Sequence, residues 1–343
     1  MTALASVGFD LVLCALILSA ALFATAMRDQ FASSVSFIIY GVFIAIAWLR
    51  LGATDVALTE AALGAGLTGV LLIGGIARLQ RLCAQEMSAV ASHQIGRSSA
   101  RARSILTMVA AGALSCALGW GFVSLPVSRG LSDAVAGSLA ASGVGNPVTA
   151  VLLNFRAWDT LLESVVLLAA LVGLWSLARD EDWGRRPGVR QHAREGGVMA
   201  TFGRFLPPFG LLLGIYLVWT GSSQPGGAFQ GGTVLAAVWL LVMMAGLQSP
   251  PHVTSTLARS ALVIGPVVFL CFGLAGAAAG VFLGVPPAVA KPMILMIEAA
   301  LTLSIAATLA LLILGSPTSD GDGPDAPTQD AEQDDTPGQE PAR

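Results

Sequence analysis

The stretch Val151-Leu-Leu-Asn-Phe-Arg-Ala-Trp-Asp-Thr-Leu-Leu-Glu-Ser-Val-Val-Leu-Leu-Ala-Ala-Leu-Val-Gly-Leu-Trp175 decides the fold class. It is apolar and long enough to cross a bilayer, which takes about 20 helical residues. Yet it carries Arg156, Asp159 and Glu163. A charged side chain at bilayer depth costs roughly 3 kcal/mol on insertion scales, so such groups face a protein interior or an aqueous cavity. On one continuous helix the three share a face. Arg156 is then expected to neutralise Asp159 as an internal ion pair. Glu163 lies about 10 Å further along the axis than Arg156 and is left over. An unpaired buried carboxylate can take up and release a proton near neutral pH. The reading is an ion or proton pathway; the plainer alternative is three polar groups bracing helix packing.

Composition agrees with a membrane protein. The chain is 55% hydrophobic and 11% charged, whereas soluble domains carry about 25% charged residues. The net charge of −3 hides a segregation: Asp320, Asp322, Asp325, Asp330, Glu332, Asp334, Asp335 and Glu340 stand against Arg343 alone in the tail. Rich in Pro, Gly and Asp, residues 316–343 are expected to be disordered. Cys14, Cys83, Cys116 and Cys271 have no paired spacing, and His93, His192 and His252 form no ligand cluster. No disulfide framework, metal site or cofactor is expected.

Apolar windows predict an all-α integral membrane protein of nine helices, at about 7–27, 32–51, 55–79, 104–125, 149–178, 204–220, 229–248, 258–283 and 289–314. The first has no basic n-region and contains Asp10, so it reads as a retained helix rather than a cleaved signal. Two basic loops punctuate the series. Arg78, Arg81, Arg97, Arg101 and Arg103 flank one; Arg179, Arg185, Arg186, Arg190, Arg194 and Arg204 occupy the other. With Arg28 and Arg259 they outnumber Arg50, Arg129, Arg156 and Lys291 on the opposite side. The positive-inside rule then places the N-terminus outside and the acidic tail in the cytoplasm. These arginines set topology rather than bind nucleic acid. The loops also divide the helices into blocks of three, two and four, spanning 1–90, 91–195 and 196–315. Small residues at every fourth position (Ala61, Ala65, Gly69; Gly210, Gly214; Gly276, Gly280, Gly284) allow close backbone approach.

Two further carboxylates sit inside predicted spans. Glu60 lies about 7 Å deeper than Asp55, too deep to cap a helix, with Gly64 and Thr68 on successive turns below it. Asp55 itself reads as an N-terminal cap at the interface. Glu298 shares a face with Lys291, about 10 Å away and suited to a water-linked contact. Glu60, Asp159, Glu163 and Glu298, with Arg156 and Lys291, are therefore the candidate pathway residues. The segment Gly221-Ser-Ser-Gln-Pro-Gly-Gly-Ala-Phe-Gln-Gly-Gly-Thr233 is the most unusual locally. It permits either a broken helix facing a cavity or a compact turn against a partner. It lacks the Gly-Lys-Ser/Thr ending of a phosphate-binding loop.

Within that segment Pro225, Gly226, Gly227, Phe229, Gly231 and Gly232 resemble the Gly-His-x-x-Pro-Gly-Gly-Gly-Phe-x-Gly-Gly signature of the MnhB/MrpB subunit of multisubunit cation/proton antiporters. Ser222 stands where that family has His, Ala228 replaces one glycine, and Glu298 falls where it typically has Asp. Asp55-Val-Ala-Leu-Thr-Glu60 through Gly66 resembles an MbhD-type domain, and Asn154 through Glu163 an MbhE-type domain. Both types occur at the end of the large MrpA subunit or as separate subunits of membrane-bound hydrogenases. The resemblance implies a fusion subunit, not an enzyme, in a bacterial or archaeal cell membrane. Its implied partners are large antiporter-like and small membrane subunits of the Mrp type, protons, Na+ or another monovalent cation, and lipid. Glu60 and Glu163 would belong to a hydrated path coupling proton and cation movement, with Arg156 and Asp159 setting the local field. A membrane module of a hydrogenase or complex-I-like pump is the alternative, as is a purely structural subunit. A self-sufficient transporter is disfavoured because no inverted repeat relates the blocks.

Overall fold

The computed structural model describes residues 2–87, 97–126, 130–188 and 196–319. Arg129, Arg190, Arg194, His93, His192 and the acidic tail from position 320 onward lie outside the described residues. The described chain is all helical. Helices α1 (Thr2–Ala26) and α2 (Gln30–Arg50) form an antiparallel pair. The Asp29 carboxylate accepts from the N–H groups of Phe31 and Ala32 and so caps α2. The third span begins as α3 (Thr54–Thr59), winds as a π-helix over Glu60–Leu67, and continues as α4 (Thr68–Met87). This wider turn packs closely on α2: a methyl on Gly41 would stand 3.2 Å from the Ala65 nitrogen.

The middle of the chain departs from expectation twice. After α5 (Arg97–Ser124) comes a helix that periodicity does not predict, α6 (Ser132–Ser142), followed by α7 (Pro147–Ala150) and a π-helical turn over Val151–Phe155. The two arms, 132–142 and 147–155, bend through 82°. The single span expected over 149–178 is also broken. Arg156, at φ −131° and ψ 39°, leaves helical geometry, and α8 (Ala157–Trp175) starts after it. The break is satisfied locally: the Arg156 N–H donates to the Val151 carbonyl at 2.7 Å and the Thr160 hydroxyl to that of Leu152 at 2.7 Å. Both sides of the break are apolar, so hydropathy carries no trace of it.

The last block comprises α9 (Val198–Phe205) and α10 (Pro207–Thr220), bent by 41°, then α11 (Ala228–Met244), α12 (Thr256–Ala278) and α13 (Ala290–Leu314). Pro at the start of α10 has no N–H to offer the preceding turn, which accounts for the bend. Among the described residues seven helices are long and apolar enough to cross a membrane, or up to nine if each bent pair counts as one span. Gly276, Gly280 and Gly284 do not form the expected helical stripe. They shape the turn after α12, where Gly280 has φ +107°.

Helix α13 is the axis of the molecule. Its Ile294, Ile297, Leu301 and Ile305 are fully buried and pack on Phe269 of α12 and on Leu153, Ala157 and Leu161 of the middle block. The first block joins through its π-helical turn, where Leu67 and Leu63 meet Ala236, Leu240 and Met243 of α11 and Ala310 of α13. In lipid such contacts stabilise by shape and dispersion rather than by escape from water. Helix α5 behaves oppositely: every described side chain from 105 to 124 is exposed.

Candidate functional site

The glycine-rich segment links α10 to α11 and folds back onto its own chain. Gly226 and Gly227 have φ +154° and +125°, a backbone region that L side chains rarely adopt. That geometry aims the Gly226 N–H at Asp55, donating to Oδ1 at 3.0 Å, while the Gly227 N–H donates to the Leu217 carbonyl at 2.9 Å. Pro225 is exposed at the tip, and Phe229 is half-buried against the core around α13. Gly231 and Gly232 let helices touch. A methyl on Gly231 would stand 3.0 Å from the Gly214 carbonyl of α10, and one on Gly232 would stand 2.8 Å from Ile305 of α13.

All three blocks meet at this loop. Asn146 caps α7 by accepting from the Val148 N–H at 2.9 Å, with Pro147 opening the helix. Its amide nitrogen faces Asp55 Oδ1 at 3.4 Å, the Gly221 carbonyl at 3.2 Å and the Gln224 carbonyl at 3.0 Å. The Thr149 hydroxyl also donates to Gly221, at 2.6 Å, and the N–H groups of Gly145 and Asn146 donate to the Ser222 carbonyl. The Gln230 amide donates to the Asp55 carbonyl at 3.3 Å. Asp55 is therefore not an interfacial cap. It is buried, makes no cap hydrogen bond, and ties the first block to the other two.

Glu298 enters the same junction from α13. It is 2% exposed, and its Oε2 has no hydrogen-bond partner. Methyl groups on Gly221 or Gly227 would stand 3.0 and 3.1 Å from its Oε1, so glycine at those positions makes room for the carboxylate. Lys291, expected on the same face, is exposed at the start of α13, whereas Glu298 is enclosed.

The remaining candidates lie elsewhere. Arg156 and Asp159 form an ion pair of 2.6 Å, with side chains 65% and 41% exposed. Glu163 is exposed on α8 beside the exposed apolar residues Leu162 and Val166. Glu60 is half-buried in the π-helical turn, with its carboxylate folded over Gly64; a methyl there would collide with it. Sequence reading missed Asp55, Asn146, Thr149 and Gln230. Asn-Pro opening an apolar run signals a cap, but nothing in sequence says that the cap faces a loop of another block.

The fold and site define a polytopic membrane protein whose three helical blocks are joined by a buried polar junction. Residues 15–81 match the MbhD family of MBH components, and residues 198–318 match a domain related to the MnhB subunit of Na+/H+ antiporter. The chain thus carries an MbhD-like region and an MnhB-related region in one polypeptide. It is 31% identical over 149 residues to an uncharacterized protein of Methanocaldococcus jannaschii, a match covering 39% of this chain and 56% of that protein. In fold it is similar to a chain of the Mrp complex from Dietzia sp. DQ12-45-1b, with a TM-score of 0.67 and 24% identity over 90% of this chain. The match takes in 35% of the Dietzia chain, so this chain corresponds to about a third of it.

Proposed function

We propose that this chain is a membrane subunit of a multisubunit monovalent cation (Na+)/proton antiporter, and that its intramembrane carboxylates contribute to the ion path. The observation that carries this reading is the exposure of Glu163 on α8. A carboxylate within a span does not face hydrocarbon without a large cost, so Glu163 requires an aqueous or protein surface supplied from outside the chain. Helix α5, exposed along its described length, asks for the same. The paired MbhD and MnhB domains support a subunit that works beside large antiporter-like and small Mrp-type partners in a bacterial or archaeal cell membrane. The 91–195 block would be its MbhE-like part, and the basic loops favour an outside N-terminus with the tail in the cytoplasm.

In this mechanism Glu60 and Glu163 alternate between protonated and ionised states, while the Arg156–Asp159 pair sets the field beside Glu163. A proton crossing the membrane potential gains about 2.3 kcal/mol per 100 mV, which can drive cation export. In vesicles carrying the whole complex, Glu163→Gln should abolish cation-dependent proton flux while assembly persists. Wild-type flux in that variant would remove the claim. The match of residues 15–81 to the MbhD family favours a second reading, a hydrogenase-linked membrane arm. The proteins that co-purify with the chain decide between the two.

A further inference from the structure

We propose that the inter-block junction is a binding site for one partly dehydrated monovalent cation, held by oxygens of Glu298, Asp55 and Gln230. Glu298 is 2% exposed and Asp55 8% exposed, and none of the ion pairs among the described residues reaches either carboxylate. Two buried carboxylates without a counter-charge are far costlier than two with one.

The hydrogen bonds show where the positive charge is missing. Asp55 Oδ1 already accepts from the Gly226 N–H and faces the Asn146 amide. Glu298 Oε2, by contrast, is buried with no donor at all. Gln230 spends its amide nitrogen on the Asp55 carbonyl, leaving its Oε1 on the Gly227 side of the junction, 3.4 Å from where a methyl there would sit. Glu298 Oε1 lies 3.1 Å from that same methyl position. An acceptor-only cluster of carboxylate and amide oxygens suits a hard cation. A single charge offsets one of the two carboxylates, the other being met by the Gly226 N–H and the Asn146 amide. The glycines at 221 and 227 then serve two ends: they shape the loop and leave space beside Glu298.

The site stands on this geometry; only the choice of Na+ as probe rests on the antiporter reading. The test is equilibrium binding to the full-length chain in lipid nanodiscs, with co-purifying partners retained and no ion gradient imposed. Thermal midpoints are followed as NaCl replaces N-methylglucamine chloride at constant ionic strength, since a ligand of the native state raises the midpoint with its concentration. A saturable Na+-specific rise is expected in the wild type. Glu298→Gln and Asp55→Asn should each weaken the apparent Na+ affinity by about tenfold or more, a loss of about 1.4 kcal/mol, in variants that remain folded without Na+. If either variant fails to fold, Gln230→Leu, which keeps both carboxylates, should still reduce the Na+ response. No cation-specific rise in the wild type overturns the proposal, as does an undiminished response in the folded variants. Failed antiport with Na+ binding intact would count against the transport reading alone.

Discussion

Glu298 and Glu163 are both carboxylates inside apolar helices, and the fold treats them oppositely. Glu298 is enclosed by its own chain, between the glycine-rich loop and the polar groups of the other two blocks. Glu163 stands on an outer face of α8 next to exposed Leu162 and Val166. The first surface is finished within this polypeptide; the second is left open by it. A buried polar group thus speaks of the chain's own architecture, and an exposed one on an apolar helix marks a face that this architecture leaves open.

Substitutions at the two places should separate these roles. The largest effect is expected from Gly227→Val. It forces a β-branched residue to φ +125° and places its Cβ against Glu298; backbone strain of this kind alone costs about 1–3 kcal/mol. Size-exclusion profiles of the tagged chain should show loss of monodisperse protein. Next comes Asn146→Ala, which strips a helix cap and leaves the buried Gly221 carbonyl and the Gln224 carbonyl with fewer donors. A loss of roughly 2 kcal/mol is expected, read as a lower thermal midpoint in nanodiscs. Normal stability for this variant would mean that the blocks are held together elsewhere.

Gly64→Ala should act more locally. The added methyl collides with the Glu60 carboxylate and pushes it off the π-helical turn. The midpoint should fall little, whereas cation-dependent proton flux of the whole complex should drop if Glu60 lies on the path. The smallest change in stability is expected on the outer face. Glu163→Leu, or Asp159→Asn in its exposed pair with Arg156, should leave the thermal midpoint of the isolated chain nearly unchanged. A marked destabilisation by either would show that α8 is braced by these groups and blur the contrast with the junction.

Much of this was legible in the chain of residues. Apolar runs of span length recur along it, so its all-helical membrane class follows from composition and periodicity alone. The Arg156–Asp159 pair was readable too, because i, i+3 spacing survives even when Arg156 stands at a helix break rather than inside one continuous helix. The break itself was not legible. A π-helical turn changes hydrogen-bond register without changing hydropathy, so Val151–Phe155 and Glu60–Leu67 look like ordinary helix.

What only the tertiary structure decided is which polar groups meet. Asp55 resembled an interfacial cap because its neighbours along the chain offer nothing else; its partners are Gly226, Asn146 and Gln230, each far away in sequence. Likewise, the sequence marks Glu163 and Glu298 as the same kind of costly charge. Burial depends on how blocks pack around α13, which is a property of distant contacts. By itself the sequence determined a multi-helix membrane protein with several intramembrane carboxylates, since local periodicity and the cost of charge in lipid require no knowledge of neighbours. Packing decided that Glu298, and not Glu163, is the one held by the chain itself.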